Sequence, residues 1–316
     1  MSKSLCPACG HDRTRVLFHG TDRLYGTTDK VFAVAECSRC RLIRLDPQPP
    51  VEELGQYYPS NYWFSPSNTA TARGEERYRR LVLSDHVRFV EGAIEATEAT
   101  GTVLDVGCGG GLFLRMLQER GHRVFGLDLS LDAARTAWNQ NQVPATCAVL
   151  TSAPLPRRHF TTITMFHVLE HLYDPMAYCE TARDLLRDDG RLVVQVPNAS
   201  CWQFLLFGEL WNGIDIPRHL VNFKEADLVN LLEASGFEVM RRKHFSLRDN
   251  PAGLATTLAR GLDPMARRIR GAAEGPYQRL LKDGLYFALM LACLPFTLVE
   301  AACRAGSTIM IEARKR

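Results

Sequence analysis

Two Cys-x-x-C pairs stand near the start of this chain, Cys6-Pro-Ala-Cys9 and Cys37-Ser-Arg-Cys40, and a glycine-rich turn, Asp105-Val-Gly-Cys-Gly-Gly-Gly111, follows later. Four thiolates brought together by a hairpin suit tetrahedral zinc, and a closed site of that kind leaves no position for substrate, so its role is structural. The glycine turn serves other chemistry. Where side chains are absent the backbone approaches a ligand closely, and Asp128, at the end of the next apolar run, is placed to accept hydrogen bonds from a ribose diol, as in nucleotide-binding βαβ units. A third group, His167, Glu170, His171 and His219, includes imidazoles, whose ordinary pKa near neutrality suits proton transfer.

These groups need a scaffold. Thr102 to Val106 reads as a buried parallel strand that opens into the glycines, with positive φ expected at Gly107, Gly109, Gly110 and Gly111. Leu112 to Arg120 then has helical apolar spacing, His122 to Leu127 reads as a second strand, and Phe160 to Phe166 as the fourth. Loops at the carboxyl ends of strands one and four of a doubly wound sheet face one crevice, which puts His167 beside a bound cofactor. A helix from Asp174 to Arg187, a turn at Asp188-Asp-Gly190 and a fifth strand, Arg191 to Val196, follow. Lys224 to Ser235 reads as a helix, Gly236 begins strand six, and Ser307 to Arg314 is expected as the last strand, antiparallel to it. For the cysteine pairs, Val16-Leu17-Phe18 and Val31 to Val34 supply the hairpin, and the loop around Gly20 to Asp29 absorbs the long spacing. Proline-rich Asp46-Pro-Gln-Pro-Pro marks a linker. The resulting division is a zinc-binding ribbon at 1–46, a linker and helical cap at 47–100, a cofactor-binding core at 101–249, and a helical insertion with the final strand at 250–316.

A dinucleotide fingerprint wants a third glycine three places after the second. Leu112 holds that place here, and Asp105 ahead of the glycines suits the ammonium of S-adenosylmethionine (SAM). On these residues the stretch from Thr102 to Leu247 resembles the class I SAM-dependent methyltransferases. That resemblance implies an α/β, Rossmann-like sheet with a small N-terminal four-cysteine zinc ribbon and a helical insertion before the last strand. Asp105, Gly107, Cys108, Gly109, Asp128, Leu129 and His167 would meet the cofactor, and Cys6, Cys9, Cys37 and Cys40 the metal. The segment Tyr57-Tyr58-Pro to Tyr62-Trp63 is similar to one that covers the cofactor in relatives, or else Tyr58 and Tyr62 only pack between domains. His167 to Pro175 is similar to the post-strand motif of ubiquinone-type and sugar-modifying methyltransferases, and Pro217-Arg-His219-Leu-Val-Asn-Phe223 to their acceptor-side loop. His219 is expected as general base, with His171 orienting the acceptor, or each makes a structural hydrogen bond. Glu170 with His171 would give a catalytic divalent ion only two ligands. The chain departs from its relatives at Phe160-Thr161, where they carry Phe-Asp, and at Val149-Leu-Thr-Ser, which lacks their acidic residue, so adenine contacts go unassigned.

Composition is that of a cytoplasmic enzyme. A net charge of +3 over 316 residues argues against nucleic acid as a partner, the first residues lack the pattern of an export signal, and the ten cysteines are expected as reduced thiols or metal ligands. The apolar run Leu285 to Val299 is shorter than the roughly twenty residues of a membrane span. Burial against the sheet or in a homodimer interface is one reading, and peripheral contact with a membrane, aided by Arg260, Arg267, Arg268 and Arg270, the other. Methyl transfer to carbon or oxygen of a small-molecule acceptor, a nucleotide-linked sugar or related intermediate, is the expected function. The alternatives are a lipid or quinone-like acceptor, and a non-catalytic SAM-binding, zinc-ribbon interaction protein.

Overall fold

Apolar runs too short for helices and buried on both faces become the central strands. A computed structural model describes residues 5–59, 70–97 and 101–316, and Tyr62 lies outside them. The elements begin with β1 (Thr14–Gly20), β2 (Phe32–Cys37), β3 (Ile43–Leu45), α1 (Val51–Leu54) and α2 (Ala70–Glu95). The core follows as β4 (Thr102–Val106), α3 (Leu112–Gln118), β5 (Arg123–Asp128), α4 (Leu131–Asn141), β6 (Ala145–Cys147), β7 (Phe160–Phe166), α5 (Pro175–Leu185) and β8 (Leu186–Pro197). Then come α6 (Trp202–Phe207), β9 (Val221–Asn222), α7 (Glu225–Ala234), β10 (Phe237–Lys243), α8 (Asn250–Leu258), α9 (Pro264–Ile269), α10 (Pro276–Ala302) and β11 (Thr308–Lys315).

The main sheet has the order β10-β11-β8-β7-β4-β5-β6. Its strands β4 to β8 run parallel, and β11 inserts antiparallel between β8 and β10. Leu104, Ile163, Met165, Leu192 and Val194 are fully buried in it. The strand order reverses between β4 and β7, so the crevice where such sheets take ligands opens above Val106 and Phe166. A second sheet, β1-β2-β3-β9, is the ribbon. Its hairpin is the expected one, and its fourth strand comes from the segment Pro217 to Phe223: Ile43 pairs with Asn222 and Arg44 with Val221.

Several expectations change. The turn at Asp188 to Gly190 lies inside β8: Phe160 pairs with Leu186 but Thr162 with Arg191, so the intervening residues ride out as a bulge. Among the glycines of the turn, Gly107, Gly109 and Gly111 take positive φ and Gly110 does not. Helix α10 is 27 residues long, and by length and composition it could cross a membrane, with 22% of its most apolar window buried. The apolar run understated it because Arg279, Lys282 and Asp283 lie within the same helix. It packs mainly on α8, through Tyr286, Met290 and Cys293, and near its end buried Glu300 accepts from Gln203 of α6. Leu280, Leu281, Leu285, Phe287, Leu291 and Val299 stay exposed. The nearby arginines are not a free basic face: Arg267 pairs with Glu274 and Asp283, while Arg260 and Arg270 donate to backbone carbonyls of the loop at Arg23 and Leu24.

Candidate functional site

The turn after β4 is held open by its own backbone. Gly107 N–H donates to the Leu127 carbonyl at 2.7 Å, and a side chain at Gly107, with φ +77°, would meet Val168 at 2.8 Å. At Gly109, φ +52°, an added Cβ would meet no atom of the described residues within 4 Å, which leaves room among them for a ligand over the turn. Asp128 caps this turn by accepting from Gly109 N–H at 2.8 Å and Ser130 N–H at 2.8 Å. Each of its oxygens keeps a second lone pair for a hydroxyl. Asp105 is buried and accepts the Thr164 hydroxyl at 2.6 Å. Burial pushes its carboxyl up to about 7 against that hydrogen bond, and the Asp128 charge adds to the rise. Cys108 turns its sulfur toward Gly126, where an added Cβ would lie 2.7 Å away, so only its backbone faces the turn. Leu129 is exposed beside Asp128.

Across the crevice, the loop after β7 starts with a strained residue: His167 has φ +55°, a left-handed conformation that few non-glycine residues adopt. Its N–H donates to the Gln195 carbonyl at 2.8 Å, and its Nδ1 lies 3.1 Å from Glu170 Oε1. Asp249 sits 3.5 Å from the other ring nitrogen and accepts from Gln195 Nε2 and the Ser246 hydroxyl. Burial disfavours the charged ring, yet the carboxylates of Asp249 and Glu170 prevail and hold His167 at about 9. His171 behaves oppositely, because burial and the neighbouring His219 bring it down to about 4. It is therefore neutral at physiological pH.

The structure brings His171 and His219 together edge to face, their ring centroids 4.7 Å apart. His219 Nδ1 lies 2.8 Å from the Gly213 carbonyl, and His171 Nδ1 lies 3.0 Å from the Arg218 carbonyl and 2.9 Å from the Tyr58 hydroxyl. A carbonyl only accepts, so each ring donates Nδ1–H to its carbonyl, and neutral His171 presents a lone pair at Nε2. Glu170, 1% exposed, completes the group, and its Oε2 has no hydrogen-bond partner among the described residues. One ligand atom from each of Glu170, His171 and His219 lies within 4.8 Å of the others. The sequence offered two ligands here, and the fold adds His219 as a third.

The four cysteines also converge. Cys6 and Cys40 sulfurs are 3.6 Å apart, as are those of Cys9 and Cys37, and all four lie within 4.8 Å of one another. A disulfide needs about 2.05 Å, whereas tetrahedral thiolates at about 2.3 Å from a metal stand roughly 3.8 Å apart. Both knuckles are built alike. Backbone N–H groups of Ala8 and Cys9 point at the Cys6 sulfur, and those of Cys40 and Arg39 at the Cys37 sulfur. Gly10 and Arg41, each just past the second cysteine, turn left-handed and donate to the carbonyls of Cys6 and Cys37. At Cys37 those donors outweigh burial and bring the thiol to about 7.

Sequence reasoning missed what joins the two centres. Arg218 is fully buried, donating to both oxygens of Asp22 at 2.8 and 2.9 Å and to Asp215 at 2.6 Å, with Tyr25 stacked on its guanidinium. The only signal was an arginine beside His219 in an apolar stretch. Asp249, Gln195 and His86 around His167 gave none, since they come from distant strands and helices.

Comparison with known proteins agrees with this geometry. Residues 75–241 match the model of a methyltransferase domain family. A protein of Mycolicibacterium smegmatis described as a probable S-adenosylmethionine-dependent methyltransferase is 30% identical over 233 residues, covering 71% of this chain and 77% of that protein. A ubiquinone biosynthesis O-methyltransferase of Glaesserella parasuis is 28% identical over 152 residues, a match that spans 43% of this chain and 64% of that relative, under two thirds of its length. Among solved structures, one from Galdieria sulphuraria assigned as a sarcosine dimethylglycine methyltransferase has a TM-score of 0.52 at 14% identity, covering 76% of this chain and 87% of that one, which is a likeness of fold. With a family match across residues 75–241 laid on a sheet of this order, the chain belongs to the methyltransferase domain family.

Proposed function

We propose that this protein moves the methyl group of SAM to carbon or oxygen of a small-molecule acceptor, a nucleotide-linked sugar or related biosynthetic intermediate, and that Cys6, Cys9, Cys37 and Cys40 hold a structural zinc. The observation that carries the reading is the shared crevice: the open glycine turn with Asp128 on one side, and Glu170, His171 and His219 on the other. Bound there, SAM supplies a methyl group already made electrophilic by its sulfonium. Asp128 would hold the ribose hydroxyls, the backbone of Gly107, Cys108 and Gly109 would line the approach, and Leu129 and His167 would flank it. Asp105 faces the ammonium end. The protein's remaining work is to hold the nucleophile in line and keep water out. His219 is the group that activates the acceptor, and His171 orients it.

Calorimetry with SAM followed by mass analysis of acceptors incubated with it tests the reading. Tight binding without methylation of any sugar nucleotide, phenol or lipid would overturn it. A lipid or quinone-like acceptor is the second reading, favoured by the exposed apolar face of α10 and by Leu205 and Leu206 of α6.

Asp105 gives the binding a pH dependence. A cationic ligand favours the ionised carboxyl, and below about 7 the group is protonated, so binding must then expel a proton. SAM affinity is expected to be about 10-fold weaker at pH 6 than at pH 8, with the difference removed in Asp105→Asn. Equal affinity at the two pH values would show that this carboxyl does not meet the ligand's charge. For the ribbon, metal analysis should return one zinc per chain, and chelation should unfold the β1–β3 sheet, seen as loss of amide protection there. A fully folded, metal-free ribbon would exclude the zinc.

A further inference from the structure

We propose that Glu170, His171 and His219 hold a divalent first-row transition cation, distinct from the metal of the four cysteines, and that its open positions take two adjacent oxygens of the acceptor. The methyl acceptor would then be a compound with neighbouring oxygens, a vicinal diol or a hydroxyl beside a carbonyl. The oxygen-chelating part rests on the acceptor side of the reading above, while the metal site itself does not.

Three features carry it. One ligand atom from each of the three residues already lies within 4.8 Å of the others. The outer bonds are those of metal ligands: a ligating histidine gives its second N–H to a carbonyl or carboxylate, which fixes the ring. Here His219 gives Nδ1–H to Gly213 and His171 gives Nδ1–H to Arg218, while His167 orients Glu170 through Oε1. Finally, among the described residues Glu170 Oε2 is buried with no partner, a costly state unless something cationic meets it. Two imidazoles and one carboxylate suit manganese, iron, cobalt, nickel or zinc better than magnesium or calcium, which prefer all-oxygen sites. Three protein ligands leave positions free, in contrast to the closed thiolate site of the ribbon.

A dication with one carboxylate keeps a net positive charge, which favours an anionic oxygen. An acceptor hydroxyl bound to the cation loses its proton to water because coordination lowers its pKa. An oxygen lone pair then forms the bond to the methyl carbon as the carbon–sulfur bond breaks, and the sulfur keeps the electron pair of the broken bond as a neutral thioether. His219 then activates the acceptor through the ion it helps to hold, with water taking the proton.

The test uses the full chain with zinc in the ribbon, cleared of other metals by a weak chelator and titrated with Mn2+ and separately with Co2+. Free Mn2+ is read by electron paramagnetic resonance, and cobalt by its visible absorption. One additional ion per chain is expected, with binding weakened at least about 10-fold in both His219→Ala and Glu170→Gln. SAM calorimetry on the same variants shows that they are folded. No saturable binding of either ion, or binding as tight in both variants as in the parent, would overturn the site. If the ion binds and SAM does not, the methyl-transfer reading fails and the metal site stands. The reverse pattern fails the metal site alone.

Discussion

His219→Ala is expected to turn over about 10²–10⁴-fold more slowly than the parent, the range in which a single positioned acid–base or activating group contributes, with its affinity for SAM unchanged. The asymmetry follows from position. His219 is 7% exposed and lies in the loop before β9, against His171 after β7, whereas the glycine turn after β4 and Asp128 at the end of β5 lie on the far side of the β4–β7 switch. Its ring is aimed by the Gly213 carbonyl, and Gly213 is required because any side chain there would enter the Trp211 ring. Removing the imidazole leaves that partly buried carbonyl without its donor, at about 1 kcal/mol. A drop in activity from loosened structure must be separated from loss of chemistry. His219→Asn does so, since its amide N–H can still meet the Gly213 carbonyl while the Nε2 lone pair is gone. Both variants should show a collapsed kcat and a parental SAM dissociation constant. Parallel loss of turnover and SAM affinity would take the acceptor-side role away from this residue.

The parts of the site that sequence reveals are those built from contiguous residues. Thr102–Val106 and Phe160–Phe166 are legible because each is a short β-prone run with abrupt ends, and the glycine turn is legible because φ and close approach restrict the residue type. The start of β8 was hidden for the same local reason. Asp188-Asp-Gly190 has turn chemistry, and only the pairing of Phe160 with Leu186 shows that it interrupts a strand rather than preceding one. Helix α10 was shortened on paper because charged residues in its first turns broke the apolar run, although helices tolerate them on an outward face. What no local pattern encodes is convergence. Glu170 and His171 follow β7, His219 lies near β9, and Asp22 sits in the ribbon's loop, so their meeting depends on the sheet order and on a strand lent from one sheet to the other.

That dependence makes Arg218 the residue whose loss should cost the most stability. Its guanidinium is fully buried between Asp22 and Asp215, and further bonds reach the Tyr57 and Ile216 carbonyls. Arg218 outweighs the effect of burial on Asp22, holding that carboxyl well below the ordinary carboxylate range. Replacing both charges with well-packed apolar groups is often neutral, but removing one partner strands the other, at about 3–5 kcal/mol. Arg218→Met is therefore expected to lower Tm by roughly 10 °C, a large share of the stability of an ordinary domain. Arg218→Lys should recover little, because a single ammonium cannot span both carboxylates as the planar fork does. Adding Asp22→Asn to Arg218→Met should return part of the loss, since one of the two stranded charges, the fully buried one, is then gone. The sign of the pH effect follows from the depressed carboxyl: the contribution is complete above the ordinary aspartate range and fades as pH falls through the lowered value. Thermal melts of the parent, both single variants and the double variant at neutral pH check the claim, and melting of Arg218→Met within about a degree of the parent would refute it. The loss should reach the chemistry as well. Arg218 gives its carbonyl to His171 and precedes His219 in the chain, so a loosened clamp lets the ribbon and the acceptor-side imidazoles drift apart while the glycine turn stays intact.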